Sequence, residues 1–296
     1  MLLRTSYISF PGLGIDEFCV DSVAFRIFNH PVAWYGIIIT FGIVMATLYV
    51  LYRARQEGIS SDMILDLGIY VILFAVLGCR VFYVLTSLDS YDSFWDVFKI
   101  WEGGLAIYGG IIAGALTIFI YCRRKKKNFY QLLDMVAPAV MLGQTIGRWG
   151  NFTNGEAHGG VTDIFCRMGL HFSEYTEPNF YHPTFLYESL WNLTGFVIIN
   201  LLYRKKRYNG QVALMYLTWY GFGRMLIEQL RTDSLYLFGS LWEVWFLKIS
   251  SLIGFFCFII CGTLLVVNHV RGKREMTAFT AVATPETNEK SKEKKE

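Results

Sequence analysis

Seven stretches of about 20 mostly apolar residues recur along the chain, near 32–52, 63–86, 104–122, 129–147, 185–203, 211–230 and 245–267. Each is long enough to cross a bilayer as a helix. The stretches at 129–147 and 211–230 are the least apolar, because Asp134 interrupts the first and Arg224 and Glu228 the second. The pattern predicts an all-α polytopic membrane protein with seven transmembrane helices.

Loop charge orients that arrangement. Arg53 and Arg55 follow the first stretch, Arg123 to Lys127 the third, Arg204 to Arg207 the fifth, and Arg271, Lys273 and Arg274 the seventh. Basic residues favour the cytoplasmic side. Their alternation predicts an N-terminus outside, a cytoplasmic C-terminus, and a small extracytoplasmic head built from loops 87–103 and 148–184. Residues 1–31 form an extracytoplasmic arm. They mix Arg4, Asp16, Glu17, Asp21 and Arg26 among apolar positions and lack the continuous apolar core of a signal peptide. The membrane domain runs over 32–270. Residues 271–296, rich in Lys, Glu, Thr and Ala, read as a disordered cytoplasmic tail.

Composition narrows the class further. Of 296 residues, 54% are hydrophobic and 17% charged. Soluble domains carry roughly 25% charged residues, so a soluble globular fold is disfavoured. A net charge of +3 is too small to imply a nucleic-acid partner. The six cysteines form no CxxC pair, which leaves no metal site to propose. Cys19 and Cys166 both fall outside, where a disulfide is chemically allowed. No internal repeat is visible, which disfavours an inverted-repeat transporter.

Against this apolar background, ionisable residues within spans stand out, since each costs about 2.5–3.5 kcal/mol on insertion scales. Tyr220, Arg224, Glu228 and Arg231 fall at about 0°, 40°, 80° and 20° on a helix turning 100° per residue, so they share one face. A self-neutralising Arg224–Glu228 pair explains part of that row. Arg231 adds a second cation, and an outward-facing guanidinium suits a phosphate oxyanion. The fourth stretch ends in Gly147-Arg148-Trp149-Gly150-Asn151-Phe152-Thr153-Asn154-Gly155-Glu156, read as a helix giving way to a glycine-rich loop. A plain turn needs glycine and asparagine but has no use for Arg148 and Glu156 as well. Trp101-Glu102-Gly103-Gly104 opens the third stretch, where Tyr108 sits among Gly109, Gly110 and Gly114. Such glycines serve helix packing or the close approach of a lipid chain. Arg80 lies in the second stretch. Trp34 and Tyr35 begin the first. Asp134, four residues before Pro138, is positioned to satisfy a helix break there. His182 is a candidate proton-transfer group. No GxSxG serine or HExxH pair is present, which weakens hydrolase and metalloprotease readings.

Taken together, these blocks resemble the prolipoprotein diacylglyceryl transferases. The resemblance spans about residues 30–270. It is carried by the Gly147–Glu156 signature, by Trp34-Tyr35-Gly36, by Gly104 to Gly110, by His182-Pro183-Thr184 with Tyr187-Glu188, and by Tyr220 to Arg224 with Glu228 and Arg231. It implies an enzyme of the bacterial cell membrane, with its active site facing the outer half of the bilayer. The implied reaction moves the diacylglyceryl group of phosphatidylglycerol onto the lipobox cysteine of a prolipoprotein, forming a thioether and releasing glycerol phosphate, without cofactor or metal. The resemblance implies Arg148 and Arg224 as the main phosphatidylglycerol contacts; the chemistry of the residues themselves leads to the expectation that both act electrostatically in catalysis and that Tyr108 orients the thiol or relays its proton. Phosphatidylglycerol would contact Arg148, Tyr35, Asn151, Glu156, Gly159, Tyr220 and Glu228, with Arg231 and Arg80 assisting. Many family members carry histidine where this chain has Tyr108, and a free tyrosine, with a pKa of about 10, is a poor base at neutral pH. Two other readings remain at this point: an anion transporter or channel, and a lipid-binding scaffold without chemistry.

Overall fold

The fold is that of a computed structural model describing residues 4–88, 93–99, 103–173, 175–232 and 248–270. Its described residues contain seven α-helices: α1 Trp34–Gln56, α2 Ser61–Thr86, α3 Ile107–Lys125, α4 Phe129–Thr153, α5 Thr184–Tyr203, α6 Gln211–Ile227 and α7 Ile249–Val270. Five of them, α1, α2, α3, α5 and α7, are long and apolar enough to cross a membrane. The other two are the stretches that were weakest in sequence. α6 has 17 residues, and α4 carries Gln131, Asp134, Gln144, Arg148 and Asn151 along its length. The tail at 271–296 and the Trp101-Glu102 pair lie outside the described residues.

The all-α expectation needs correction. Six β-strands are present: β1 Thr5–Phe10, β2 Ile15–Asp21, β3 Val23–Ile27, β4 His30–Ala33, β5 Met168–His171 and β6 Asn179–Tyr181. The N-terminal arm and the segment between α4 and α5 supply them. β2, β1, β5 and β6 form one antiparallel sheet in that order, with Tyr7 opposite both Cys19 and His171. β1 alternates strictly, burying Ser6, Ile8 and Phe10. Ile8 and Phe10 join Met168 and Leu170 of β5 in a core that also holds Phe185 of α5 and packs against Phe152 of α4. The sheet is thereby seated on the last turn of α4 and the first turn of α5. β3 and β4 form a separate hairpin. Cys19 and Cys166 are free thiols, so no disulfide joins β2 to the segment before β5.

The chain divides into two compact units. The first takes in residues 1–53, 134–207 and 211–273. Within it, α1 and α4 approach through glycine, since a Cβ on Gly150 would lie 2.9 Å from the Tyr35 ring. α5 and α6 are joined by a stacked pair, Trp191 and Trp219, with ring centroids 4.4 Å apart. Each indole N–H donates to the other residue's carbonyl, at 3.1 and 3.0 Å. α6 and α7 meet where Gly221 faces Gly254, and a Cβ on either would come within 2.8 Å of the other's carbonyl oxygen. Asp134 does not relieve a break at Pro138, because α4 continues through that proline. Its buried carboxylate instead accepts the N–H of Ala213 at 3.0 Å and lies 3.6 Å from Lys206 Nζ, capping the start of α6.

The second unit holds residues 54–133 and 208–210. There α2 and α3 pack backbone to backbone. A Cβ on Gly109 would sit 2.1 Å from the Gly78 carbonyl oxygen, and one on Gly110 2.5 Å from Cys79 Sγ. This is the close approach that small residues permit in membrane helices.

Candidate active site

Three arginines converge on one carboxylate at the end of the first unit where the sheet sits. Glu188, in the second turn of α5, is buried, with 7% of its side chain exposed. Arg148 of α4 forms an ion pair with its Oε2. Arg224 of α6 donates to both of its oxygens at 3.3 Å. Arg231 donates to Oε1 at 3.2 Å. Arg224 also reaches Glu228 Oε2 at 2.7 Å, and Glu228 is only 2% exposed. A guanidinium offers five donors and a carboxylate accepts about four, so Glu188 alone cannot absorb three guanidiniums. The result is a donor-rich, positive spot whose three guanidinium side chains are only 11–22% exposed.

The local structure that delivers these groups differs from the sequence expectation in two places. α4 does not end at Gly147; it runs on to Thr153, so Arg148 and Asn151 lie on the helix itself. The glycines there serve packing, with Gly150 admitting the Tyr35 ring. Similarly, the row from Tyr220 to Arg231 is not one helical face. α6 stops at Ile227, a 3-10 turn covers Glu228–Leu230, and Arg231 is extended at φ −79° and ψ 142°. The tighter turn and the extended residue bring Arg231 back towards Glu188.

Around this centre the signature residues form a second network. Arg148 donates to Asn151 Oδ1 at 3.3 Å. Asn151 and Asn154 both donate to Glu156 Oε1, at 3.2 and 3.0 Å. Tyr35 is within electrostatic reach of Glu156 and Arg148, and Tyr220 of Arg148. Gly159 is where three segments cross. Its N–H donates to the His182 carbonyl at 2.9 Å, it bridges to Arg231, and a Cβ there would lie 2.6 Å from His182 Cβ and 2.7 Å from the Leu230 carbonyl oxygen. No larger residue fits without parting those strands.

Two sequence candidates lie in the second unit. Arg80 is buried, and its guanidinium donates to five backbone carbonyls, of Val97, Gly103, Gly104, Asp96 and Lys99, at 2.7 to 3.3 Å. Each of the five N–H donors of the group has such a partner, which favours a role in holding residues 96–99 and 103–104 over direct ligand contact. Tyr108 is the second residue of α3 and half-buried. His182, next to the site in sequence, has its Nδ1 3.4 Å from the Tyr187 hydroxyl. Burial pushes its imidazole below the ordinary value, which disfavours the charged form.

Two residues escaped sequence reasoning as site members. Glu188 was legible within its motif, and its charge in the first turns of an apolar span was the available signal. Lys248 caps the turn after α6, donating to the carbonyls of Glu228 and Arg231 at 2.8 and 2.7 Å. It fixes both residues from behind, and nothing in its sequence neighbourhood pointed to that partner.

Buried guanidiniums and carboxylates gathered among apolar helices define a membrane protein with a polar, arginine-rich site. The prolipoprotein diacylglyceryl transferase family model matches residues 22–267, and the chain belongs to that family of transferases. It is 43% identical over 262 residues to the phosphatidylglycerol–prolipoprotein diacylglyceryl transferase 1 of Clostridium perfringens, covering 86% of this chain and 97% of the relative. It is 43% identical over 231 residues to the phosphatidylglycerol–prolipoprotein diacylglyceryl transferase of Listeria monocytogenes, covering 76% and 83%. With the enzyme of that name from Oceanobacillus iheyensis it shares 41% identity over 254 residues, covering 81% and 88%. The family and the apolar helices make it a bacterial membrane enzyme.

Proposed function

We propose that this protein transfers the diacylglyceryl group of phosphatidylglycerol to the lipobox cysteine of prolipoproteins. The convergence of Arg148, Arg224 and Arg231 on Glu188 carries this reading. The thiolate sulfur attacks the glyceryl carbon next to the phosphate. A carbon–sulfur bond forms and the carbon–oxygen bond to phosphate breaks. The electron pair stays on the phosphate, which departs as glycerol phosphate, and the thiol proton is lost to base. Charge therefore builds on a phosphate oxygen, and preorganised guanidiniums in a water-poor site stabilise it. The same field favours the thiolate, which is only a few per cent populated for a free thiol at neutral pH.

In this reading Arg148 and Arg224 hold the phosphate and stabilise the leaving group. Tyr35, Asn151, Glu156, Gly159, Tyr220, Glu228 and Arg231 line the site. Arg80 positions a loop, and Tyr108 orients the thiol or relays its proton. α4 and α6 span the membrane with the other five helices, N-terminus outside, and the site faces the outer half of the bilayer. Their polar residues make them poor spans alone, yet their faces are buried against neighbours. The reaction needs no metal or organic cofactor.

The test is mass spectrometry of a lipobox peptide incubated with purified protein and phosphatidylglycerol vesicles. A diacylglyceryl mass increment on the cysteine, with glycerol phosphate released in equal amount, is expected. Lipid binding without either product would overturn the proposal.

A further inference from the structure

The β3–β4 hairpin carries a feature that transfer chemistry does not use. Its two-residue turn places Phe28 at φ 47° and Asn29 at φ 66°. Asparagine tolerates the left-handed region, whereas a bulky aromatic there is a genuine outlier. Phe28 is also 95% exposed, and Phe25 and Ile27 on the same hairpin are each 50% exposed. A two-stranded hairpin is marginal in water on its own, and this one turns aromatic and aliphatic groups away from the rest of the first unit.

The root of the hairpin says where those groups go. β4 ends at Ala33 and α1 begins at Trp34 with no linker. The Trp34 N–H donates to the Ser22 carbonyl at 3.0 Å, just before β3. The hairpin thus grows from the end of a membrane-crossing helix whose own surface is exposed at Trp34, Phe41 and Val44. Strands of four to five residues reach only about 13–17 Å. The tip is therefore held within reach of the interfacial layer, whichever side of the membrane that end of α1 occupies.

We propose that the β3–β4 hairpin is a membrane-surface anchor, its tip residues Phe25, Ile27 and Phe28 seated in the headgroup–acyl boundary of the lipid leaflet. The lipid covers an apolar surface continuous with that of α1, and the Arg26 side chain between them reaches for lipid phosphates. The anchor is wired to the signature loop. Ser22 Oγ accepts the N–H of Arg4 at 2.8 Å, and the Arg4 guanidinium donates to the Gly155 carbonyl at 3.1 Å while lying 3.6 Å over the Phe172 ring. Seating the tip sets the height of the sheet and of Gly155, next to Glu156, above the lipid.

A nitroxide at Phe28→Cys, in full-length protein with Cys19 and Cys166 replaced by serine, tests this. A label at Asp163→Cys, on an exposed loop, gives the aqueous reference. In nanodiscs of phosphatidylglycerol and phosphatidylethanolamine, the label at position 28 should be readily relaxed by oxygen and protected from a water-soluble nickel chelate, the reverse of the reference. Equal nickel access at both positions would overturn the anchor. Protection that appears only on adding a lipobox peptide would overturn it too, by showing a protein cover. The readout is independent of turnover, so a failed transfer assay and a failed anchor are separate results.

Discussion

Arg80 and the Arg148–Arg224–Arg231 group show two ways of burying a guanidinium in a membrane protein. At Arg80, five donors meet five backbone carbonyls that belong to one segment. These bonds tie α2 to the carbonyls of residues 96, 97, 99, 103 and 104. In the other group, three guanidiniums crowd onto Glu188, with Glu228 on one flank. Like charges are held together there, and in the proposed reaction an incoming phosphate anion relieves that crowding. A buried arginine is thus not a functional residue by virtue of burial. The described partners differ in kind: neutral backbone carbonyls at Arg80, and carboxylates shared between guanidiniums at Glu188 and Glu228.

The contrast is tested hardest at its positive end. Arg148→Ala and Arg224→Ala should each lower transfer by about 10²–10³-fold while the protein still inserts, as expected for the loss of a preorganised donor at developing charge. Full activity in either variant, measured by peptide lipidation, would end the electrostatic account. Arg80→Ala should act on the other axis. Orphaned carbonyls cost about 1–3 kcal/mol each and part of that is recovered by hydration, so a loss of about 3 kcal/mol in stability is expected. It should appear as a lower melting temperature, with the transfer rate per folded molecule nearly kept. Between them stands Glu188→Gln, which preserves shape and removes charge. Repulsion among the arginines should then cost about tenfold in kcat, with KM for phosphatidylglycerol unchanged or lower because an anion competitor is gone. A rise in KM alone would place Glu188 outside this role. Tyr108→Phe is expected to cost less, and Tyr108→His to restore turnover; normal turnover in the phenylalanine variant would remove the hydroxyl from the mechanism.

The mildest effect belongs to a pair at the sheet. His171 of β5 lies 2.7 Å from Glu17 of β2, and this bond raises its pKa above the ordinary 6.5. A raised folded-state pKa contributes stability fully below pH 6.5 and loses it as pH climbs through the folded-state value. With Glu17 half in solvent, the contribution is under about 1 kcal/mol. The melting-temperature gap between wild type and His171→Ala should narrow from pH 5.5 to pH 8.5.

Much of the helical frame was legible because hydropathy is a local signal. The seven helices lie where the seven stretches do, and the two least apolar stretches are the two that fall short of independent spans. What escaped was non-local. β1 pairs with β5 across some 160 positions, and six-residue strands such as Thr5–Phe10 carry too short an alternation to announce themselves. The extension of α4 to Thr153 was hidden because Gly147 and Gly150 read as helix breakers, although they are contact points for Ile39 and Tyr35. The arginines were found by their cost in lipid. Glu188 carries the same cost and was visible by the same argument, but the carbonyl partners of Arg80 and Lys248 depend on chain segments meeting in space.

The Asp134 contact with the first turn of α6 also bears on how the chain is built into the bilayer. A 17-residue segment bearing Arg224 is a poor candidate for release from the translocon into lipid by itself. Under the proposed seven-span arrangement its insertion would depend on α4, whose Asp134 carboxylate accepts the Ala213 N–H, and on α5, whose Trp191 stacks on Trp219. Synthesis order supplies both partners before α6 emerges. A truncation ending after α6 is then expected to insert only when Asp134 is intact, which makes one buried carboxylate a checkpoint of biogenesis.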